Sequence, residues 1–389
     1  RLMQEQGKVS GVAISGLQSI ETLKASGLES DFFNRWAGYY SKSVNVRQEM
    51  ANLTQNLGIL PTFLSGIASM LLLAVGGLRV MDDSLTIGML VAFQSLMQQF
   101  MQPVNQLVSL GSSLQEVEGK LNRLDDVLSN PQEEIRQDEE IKSYISPKLA
   151  GFLELDKITF GYNRTASPLI ENFSLLLKPG QRVALVGGSG SGNSTVAKLV
   201  AGLYQPWDGS IKFDGESRNK IPPQVLVNSI ATIEQDIKLF AGTVRDNLTL
   251  WDTTIPDSSL MQACRDAAIH ETILLLPGGY NADLLEGAAN LSGGQKQRLE
   301  IARALVNNPA ILLMDEATSA LDTQTEKIIE QNLRLRGCTC LIVAHRLSSI
   351  RDCDEIIVLH QGKVVQRGTH EELIRVRGHY MELVRSEGG

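Results

Sequence analysis

A glycine- and serine-rich segment is the part of this sequence best suited to chemistry. It follows the apolar run at residues 183–186 and precedes a segment of helical character from residue 196. A strand, a glycine-rich turn and a helix start place backbone N–H groups around a polyphosphate. The glycines permit close approach and positive φ, and the hydroxyl of Ser194 can reach Mg²⁺. The predicted phosphate-binding residues are Gly187, Ser189, Gly190, Ser191, Gly192, Asn193, Ser194 and Thr195.

Asn193 stands where a phosphate-binding loop of this kind carries a lysine. Asparagine can donate a hydrogen bond, but it is shorter and brings no charge. The segment is therefore interpreted as a nucleotide cradle without its usual cation. A flexible glycine-serine linker is the alternative when the segment is taken alone.

Three later segments end or begin with polar groups suited to phosphate chemistry. Residues 309–316 form an apolar run that ends in an aspartate and a glutamate. This suits an aspartate that holds Mg²⁺ beside a glutamate that orients an attacking water. Residues 291–295 precede a helical stretch and offer a second helix N-terminus to phosphate. Residues 341–345 form another apolar run, which ends in a histidine.

These segments, in this order, resemble the nucleotide-binding domain of ATP-binding cassette transporters, over residues 152–385. Taken alone, Tyr162 could be a core residue, His345 a capped strand end and Gln235 a loop amide. The resemblance rests on several motifs that fall in sequence. The matched residues are Tyr162 of the aromatic motif, the Walker A loop ending at Thr195, Gln235 of the Q-loop, Ser292, Gly293, Gly294 and Gln295 of the signature sequence, Asp315 and Glu316 of the Walker B pair, residues 319–322 of the D-loop, and His345 of the switch.

The resemblance implies an ATPase that uses ATP and Mg²⁺ in an α/β P-loop NTPase domain. Tyr162 is expected to stack on adenine, and the expected metal-binding residues are Ser194, Gln235 and Asp315. The expected catalytic residues are Glu316, which would polarise water, His345, which would hold the γ-phosphate and that glutamate, and Gln235.

The resemblance also implies a homodimer. Ser292 and Gly294 of a second copy would close the open side of the γ-phosphate, so that ATP joins two cassettes. Glu316 and His345 are in place, so Asn193 is expected to be one introduced change in a working enzyme, and a naturally degenerate site is the alternative. We predict weaker ATP binding and turnover lower by about tenfold to a hundredfold.

Alternation of apolar strands and helices predicts a layered α/β domain. A helix-rich stretch at 257–276 lies within it, and a hairpin at 355–367 turns at Gln361 and Gly362. The predicted strands before that hairpin are residues 152–160, 174–178, 182–186, 311–315 and 340–344.

Charge and cysteine usage limit the partners and the compartment. The net charge is −8, so composition gives no argument for nucleic acid as a partner. Cys338 and Cys340 have strand spacing and no second pair, so buried free thiols are expected rather than zinc. All four cysteines follow residue 263, and that part is expected to face a reducing cytosol.

The first 130 residues differ in character. Residues 57–78 are mostly apolar, and these 22 residues as a helix would extend about 33 Å, enough for a hydrocarbon core. Residues 84–115 are again uncharged. Because a segment that resembles an ATP-binding cassette follows in the sequence, we predict an α-helical transmembrane segment with two spans, at about 53–79 and 85–108. A soluble helical bundle is the alternative.

Polar residues recur in the second span at helical spacing. Gln94, Gln98, Gln102 and Asn105 share one helix face. Polar side chains at membrane depth face a protein interior or water, so this face is a candidate lining of a translocation path. The alternative is that the helix leaves the bilayer near Gln98 and the amides are simply solvated. Pro103 is expected to bend the helix near that exit.

The residues before the first span suit a cytosolic helical arm. In exporters of this family such an arm turns through a short coupling helix that docks on the other subunit's ATPase domain, and Gly27 is the expected turn. On this alignment the chain starts in or near the fourth membrane helix and holds only the last two spans. The predicted domains are 1–130 for the transmembrane part, 131–149 for a linker and 150–389 for the cassette.

The transported substrate is indicated only by resemblance. Residues 20–27, 32–36 and 85–93 look like peptide exporters of bacteriocin systems, which often carry an upstream cysteine peptidase. This implies export of a peptide through the cytoplasmic membrane, with the cassette in the cytosol. A lipid or multidrug exporter is the alternative. A non-transporting cassette protein, used as a regulator or nucleic-acid machine, is disfavoured by the two apolar spans.

Overall fold

The chain is described by a computed structural model that covers residues 2–82, 84–129, 148–188, 190–344 and 346–387. It divides into two compact units, Arg1–Ile135 and Arg136–Gly389. Nearly all of the predicted linker lies outside the described residues, as do Ser189 and His345.

The first unit contains helices joined by short turns, and no strand within its described residues. Gly27 ends the second helix at φ 65°, and its N–H bonds to the carbonyls of Leu23 and Lys24. Only a residue free to adopt a left-handed conformation closes a helix in this way, and Gly27 is therefore the predicted turn. The helices are α1 (Leu2–Gln18), α2 (Ile20–Ser26), α3 (Glu29–Met81) and α4 (Ile87–Leu128).

Small residues let the long helices of this unit approach each other. A Cβ on Gly16 of α1 would lie 2.0 Å from the Phe32 ring of α3. A Cβ on Gly76 of α3 would lie 2.2 Å from the side chain of Leu90 of α4. Thr86 caps α4 by accepting a hydrogen bond from the N–H of Met89 at 3.3 Å. The close approaches at Gly16 and Gly76 are the points where α1 packs on α3 and α3 packs on α4.

One helical stretch within the described residues is long and apolar enough to cross a membrane. It is Phe63–Met81, with mean hydropathy 1.8 and none of its residues buried. The corresponding part of α4 carries Gln94, half-buried, and Gln98 and Gln102, both exposed, which lower its hydropathy. The helix continues through Pro103 to Leu128, so Pro103 does not end it.

The second unit is built on a six-stranded sheet of order β12-β11-β3-β10-β9-β6. All neighbours pair in parallel except β11 and β12, which form the predicted hairpin. A four-stranded antiparallel sheet of order β2-β1-β4-β5 and a pair β7-β8 complete the strands. The strands are β1 (Leu153–Phe160), β2 (Ile170–Leu177), β3 (Arg182–Val186), β4 (Asp208–Phe213), β5 (Glu216–Ser217), β6 (Ile230–Ile233), β7 (Gly242–Thr243), β8 (Asp283–Leu284), β9 (Ile311–Asp315), β10 (Thr339–Val343), β11 (Glu355–His360) and β12 (Lys363–Gly368).

The central strands are apolar throughout because the parallel sheet is covered on both faces. Along β3, Ala184 and Val186 enter one core and Val183 and Leu185 the other. The helices are α5 (Asn193–Ala201), α6 (Pro223–Ser229), α7 (Val244–Thr249), α8 (Asp257–Asp266), α9 (His270–Leu274), α10 (Gly293–Leu305), α11 (Thr323–Arg336), α12 (Leu347–Ile350), α13 (His370–Leu373) and α14 (His379–Glu387). Short 3-10 turns lie at Arg218–Lys220, Gly279–Asn281 and Glu286–Ala288.

The predicted strands and thiols agree with the structure. The limits of β3 and of β9 are those predicted, and β10 is shifted by one residue, to Thr339–Val343. β2 starts four residues earlier than predicted, at Ile170, and pairs with β1. All four cysteines are buried and free, as expected.

Candidate nucleotide-binding site

The glycine-rich loop joins the end of β3 to the start of α5. Gly190 has φ 78° and Gly192 has φ 101°, both in the region that favours glycine. A Cβ on Gly187 would lie 2.3 Å from the carbonyl oxygen of Leu359. Only a residue without a side chain can therefore approach the Leu359 carbonyl this closely at position 187. The loop thus presents the strand–loop–helix geometry of a phosphate cradle.

The β11–β12 hairpin supports this loop from behind. The N–H of Gly362 donates to the carbonyl of Ser191 at 3.1 Å, and the Gly362 carbonyl accepts from Glu171 at 3.2 Å. Gly362 has φ 76°, and a Cβ there would lie 1.9 Å from the carbonyl oxygen of Leu169. The hairpin turn is therefore a glycine-dependent support of the P-loop.

Asn193 is the first residue of α5 and is 5% exposed. Its side-chain oxygen is buried and has no hydrogen-bond partner among the described residues, and the same holds for Ser191 Oγ. A buried acceptor without a donor is costly, so this corner of the cradle is suited to an additional polar group. An asparagine side chain at this point supplies no positive charge to a phosphate.

An aromatic surface stands beside the loop. Tyr162 is 59% exposed, and its hydroxyl lies 3.0 Å from Thr195 Oγ1. Its ring packs edge-on against Phe160 at 5.4 Å and Tyr204 at 5.3 Å. The hydroxyl contact and the two ring contacts fix the ring, while its exposed area remains available for stacking on a base.

Two side-chain contacts connect the loop and its neighbours to the end of β9. Ser194 Oγ donates to Asp315 Oδ1 at 3.1 Å. Gln235 Nε2 donates to Glu316 Oε2 at 3.1 Å. A hydroxyl and a carboxylate at this separation are oxygen ligands of the type that Mg²⁺ prefers. The residues present therefore fit a magnesium ion bound with a triphosphate.

Glu316 is held in an uncommon backbone conformation. Its φ is 51°, and its N–H donates to the carbonyl of Val343 at 2.9 Å. A non-glycine residue in this region carries strain, which persists only where surrounding contacts hold it. The turn therefore sets the direction of the Glu316 carboxylate at the edge of the sheet.

Gln297 is a residue of this site that the sequence motifs did not identify. It lies on α10, is 3% exposed, and donates from Nε2 to the Glu316 carbonyl at 3.3 Å and to Ser319 Oγ at 3.4 Å. Its Oε1 accepts from the N–H of Ala320 at 2.8 Å. One buried side chain thus connects the helix of the signature segment to the turn after Walker B.

The signature segment begins α10. Ser292 caps the helix by accepting from the N–H of Gln295 at 3.3 Å, and the Gln295 side chain accepts from the N–H of Ser292 at 2.8 Å. Gly294 leaves room for the carbonyl oxygen of Ala320, which a Cβ would approach to 3.2 Å. Ser292 and Gly293 are exposed, so this helix N-terminus is open to an anion from outside the chain.

The segment around Gln235 is anchored on α10. Arg303 Nη1 donates to the carbonyl of Lys238 at 2.8 Å and its Nη2 to Glu300 Oε1 at 3.3 Å. Burial raises the pKa of the Glu300 carboxyl, while Arg303 and the backbone N–H of Glu234 act against that rise. The hydrogen bond from Arg303 to Lys238 therefore ties the segment that presents Gln235 to α10.

The structure brings most of the predicted site residues together within the second unit. Ser194, Asp315, Gln235 and Glu316 are connected in pairs, and Tyr162 contacts the loop through Thr195. Ser189 and His345 lie outside the described residues, so their predicted roles stay predictions.

The fold and this site define a P-loop nucleotide-binding domain of the cassette type, attached to a helical region with a membrane-spanning stretch. The ABC transporter family model matches residues 170–319, and the ABC transporter transmembrane region model matches residues 1–104. The chain belongs to the ABC transporter family, with transmembrane and ATP-binding regions fused, as predicted.

Similar proteins include translocation and processing ATP-binding proteins. The chain is 35% identical over 383 residues to the toxin RTX-I translocation ATP-binding protein of Actinobacillus pleuropneumoniae, covering 96% of this chain and 53% of that protein. It is 35% identical over 384 residues to the lactococcin-G-processing and transport ATP-binding protein of Lactococcus lactis subsp. lactis, covering 98% and 54%. The chain thus spans about half the length of these curated relatives.

A solved structure supports the fold across both units. A bacterial Atm1-family ABC exporter with ATP bound matches with a TM-score of 0.88 and 30% identity, over 100% of this chain and 68% of that one. The predicted fold class, a helical transmembrane segment with an α/β nucleotide-binding domain, is confirmed.

Proposed function

We propose that this chain belongs to an ATP-driven exporter that works as a homodimer and moves a peptide across the cytoplasmic membrane. The contact between Ser194 and Asp315 is the main support for ATPase activity. It joins the P-loop to the Walker B strand through oxygen ligands suited to Mg²⁺. Transport is supported by the fused transmembrane region.

Peptide cargo is supported by the relatives. Those named for toxin translocation and for lactococcin processing and transport align with nearly the whole chain. The same alignment supports a cytosolic cassette in an inner-membrane protein. We infer no nucleic-acid partner, because the net charge is −8.

The homodimer follows from the two half-sites of one cassette. The P-loop and Walker B pair hold one side of ATP, and the exposed signature segment at Ser292 is open to a γ-phosphate held by a second copy. ATP and Mg²⁺ would then lie between two cassettes. Mg²⁺ would be held by Ser194 and Gln235, with Asp315 nearby, and would neutralise phosphate charge. Glu316 would orient the attacking water, with His345 beside the γ-phosphate.

Asn193 is proposed to impair this copy. A buried neutral amide replaces the cation that would stabilise charge on the β- and γ-phosphates. A charge-assisted hydrogen bond is worth about 1.5–3 kcal/mol, so turnover should be about tenfold to a hundredfold below that of a lysine-bearing cassette.

The test compares wild type with Asn193→Lys, both full-length and in lipid nanodiscs, by release of phosphate from Mg·ATP. Asn193→Gln is the matched control, because it lengthens the side chain without adding charge. Turnover should rise in Asn193→Lys and not in Asn193→Gln. Equal turnover in all three proteins refutes the impairment. A monomeric Asn193→Lys protein that does not bind nucleotide refutes the homodimeric ATPase.

Cargo is tested on the Asn193→Lys protein. A leader-bearing peptide should stimulate phosphate release, and a lipid of the host membrane should not. Stimulation by lipid alone would favour a lipid exporter and leave the ATPase assignment intact.

A further inference from the structure

Seven apolar side chains recur along the C-terminal half of α4 with the spacing of a heptad repeat. The intervals alternate between three and four residues, so positions a and d are apolar over three heptads. All seven side chains are between 48% and 68% exposed, so the described helices of the first unit leave them largely uncovered. We call this stripe the α4 seam: Leu107, Leu110, Leu114, Val117, Leu121, Leu124 and Leu128. A pattern sustained over three heptads is typical of a helix that pairs with another helix.

The second half of the α4 seam lies outside the hydrocarbon of the membrane. Charged residues begin at Glu116 and recur as far as Asp126. Glu118, Lys120 and Arg123 are exposed among the seam residues. Because charged side chains are costly in hydrocarbon, lipid does not cover this part of α4. A continuous apolar stripe in water marks an interaction surface, so a protein partner is expected here.

The transmembrane region fixes the direction in which two copies of α4 can meet. This step rests on the proposed homodimer, in which both copies cross the membrane with the same topology. Two α4 helices that leave the bilayer side by side then run parallel. In a parallel pair each a or d residue meets the same residue of the other copy, so the seam faces an identical apolar seam at every level. One sequence therefore supplies both sides of the contact.

Charges beside the α4 seam favour the parallel arrangement. Lys120 occupies position g, and Asp125 occupies position e of the next heptad. These are the positions that meet across a parallel pair, so Lys120 of each copy would face Asp125 of the other. An antiparallel pair would instead place e against e, which sets the acidic residues Glu118 and Asp125 against each other. The α4 sequence is thus charge-complementary to a second copy of itself in the parallel arrangement.

We propose that two copies of α4 form a parallel coiled coil along the seam, on the cytosolic side of the membrane. The helix axes of such a pair lie about 8–10 Å apart. Leu128 of one copy would then lie beside Leu128 of the other, and both chains would continue to their cassettes from one place. The coiled coil would therefore limit how far the two cassettes separate when no nucleotide joins them.

Disulfide cross-linking tests the contact directly, in the full-length protein in lipid nanodiscs. Leu114→Cys and Leu121→Cys place a thiol at position a, where the two copies of a parallel pair bring their Cα atoms within disulfide range. Asn122→Cys is the matched control, because it is exposed on α4 at the next residue and lies outside the seam. The four native cysteines are buried and free, which keeps the background low. Copper phenanthroline is added with and without Mg·ATP, and the products are separated without reductant.

Charge exchange between copies tests the pairing of Lys120 with Asp125. Lys120→Glu and Asp125→Lys, each combined with Leu121→Cys, are expressed together on separately tagged copies. Either variant paired with itself places like charges together across the seam, whereas the mixed pair restores both attractions. Among the cross-linked products, the mixed dimer should therefore exceed the share of about half that random mixing gives. Contacts within one α4 do not depend on the copy it pairs with, so they cannot produce this preference.

Rapid cross-linking at 114 and 121, at least about tenfold slower cross-linking at 122, and an excess of the mixed dimer support the coiled coil. No cross-link at 114 or 121 in either state, equal rates at 121 and 122, or random mixing overturns it. A thiol at 121 that does not cross-link and is shielded from maleimide means that another segment of the same chain or a bound peptide covers the seam, which also overturns the proposal.

Native mass spectrometry of the same nanodiscs separates this failure from a failure of the proposed homodimer. A dimeric mass without a cross-link at the seam rejects the coiled coil alone. A monomeric mass rejects both the coiled coil and the homodimer.

Discussion

The side-chain amide of Gln297 donates to the main-chain carbonyl of Glu316 at 3.3 Å, from a helix that begins at the signature segment. In the proposed dimer, Ser292 at the start of that helix serves the partner's ATP, while Glu316 serves ATP bound to its own chain. In that dimer, Gln297 would connect two different nucleotide sites through one buried side chain.

We predict that Gln297→Leu, made in the Asn193→Lys background, lowers kcat for ATP by at least about tenfold with a smaller change in KM. The leucine fills the volume but leaves the Ala320 N–H without its acceptor. It also removes the Gln297 hydrogen bond to the Glu316 carbonyl, which then keeps only the one from the N–H of Ser319 among the described contacts. Steady-state phosphate release measures both constants. Gln331→Leu is the control, because it makes the same substitution at an exposed position of α11 outside the site. A KM effect alone, with unchanged kcat, contradicts the coupling.

The glycine of the β11–β12 turn is expected to be essential for stability. Gly362→Ala places a Cβ 1.9 Å from the Leu169 carbonyl at φ 76°, so the backbone must shift away from the P-loop. We expect a loss of about 2–4 kcal/mol in unfolding free energy and weaker nucleotide binding. Thermal unfolding and nucleotide titration measure the two effects.

The matched control for that turn is Gln361→Ala. Gln361 already has φ 50° as a non-glycine residue, so alanine there adds little strain. Its effect should stay within about 0.5 kcal/mol. If both variants lose a similar amount of unfolding free energy, the close approach of Gly362 to the Leu169 carbonyl is not the cause of the loss.

The buried cysteines should resist alkylation in the folded protein. Burial raises the pKa of the Cys264 thiol to about 11 and that of Cys353 to about 12. The thiolate is the reactive form, so at pH 8 Cys264 has about a hundredfold less of it than a thiol with the reference pKa of 9.0. Mass spectrometry after iodoacetamide treatment should show modification only after unfolding. Rapid modification of native Cys264 or Cys353 at pH 8 contradicts this burial.

The glutamine face of α4 is predicted to meet water in the assembled exporter. Gln94→Cys and Gln98→Cys should react with a membrane-impermeant thiol reagent added to proteoliposomes, in at least one nucleotide state. Leu96→Cys is the control, because Leu96 is 63% exposed on α4 and apolar, as a lipid-facing residue would be. The buried native cysteines keep the background low. No reaction at 94 and 98 in any state excludes a wet path.

The sequence specified the central sheet well and its edges poorly. β3 and β9 are continuous apolar runs, because both faces of a parallel sheet are covered, and their limits follow directly. β4 was not predicted, since Asp208, Gly209 and Ser210 open it and only alternate residues are buried. β6 has just four residues and pairs only with β9 in the described sheet, so its pattern is too short to stand out.

The site divides in the same way. The roles of Ser194 and Asp315 could be predicted from local motifs. Each residue lies in a loop or at a strand end that the adjacent residues identify. Gln297 does not, since its partners are 19 to 23 residues away in the chain. One sequence signal pointed to Gln297: it lies four residues before Ile301 and so on the same, buried face of α10. A polar residue in an apolar stripe requires partners, but only the folded chain shows which.

The α3 helix runs without a break from Glu29 to Met81. Its 53 residues extend about 80 Å at 1.5 Å per residue, more than twice the thickness of a hydrocarbon core. Its N-terminal end follows the turn at Gly27, and its C-terminal part contains the apolar stretch Phe63–Met81. In the proposed exporter, a helix of this length would transmit a displacement of α2 by tilting, and its opposite end would move the other way about the part that the bilayer holds.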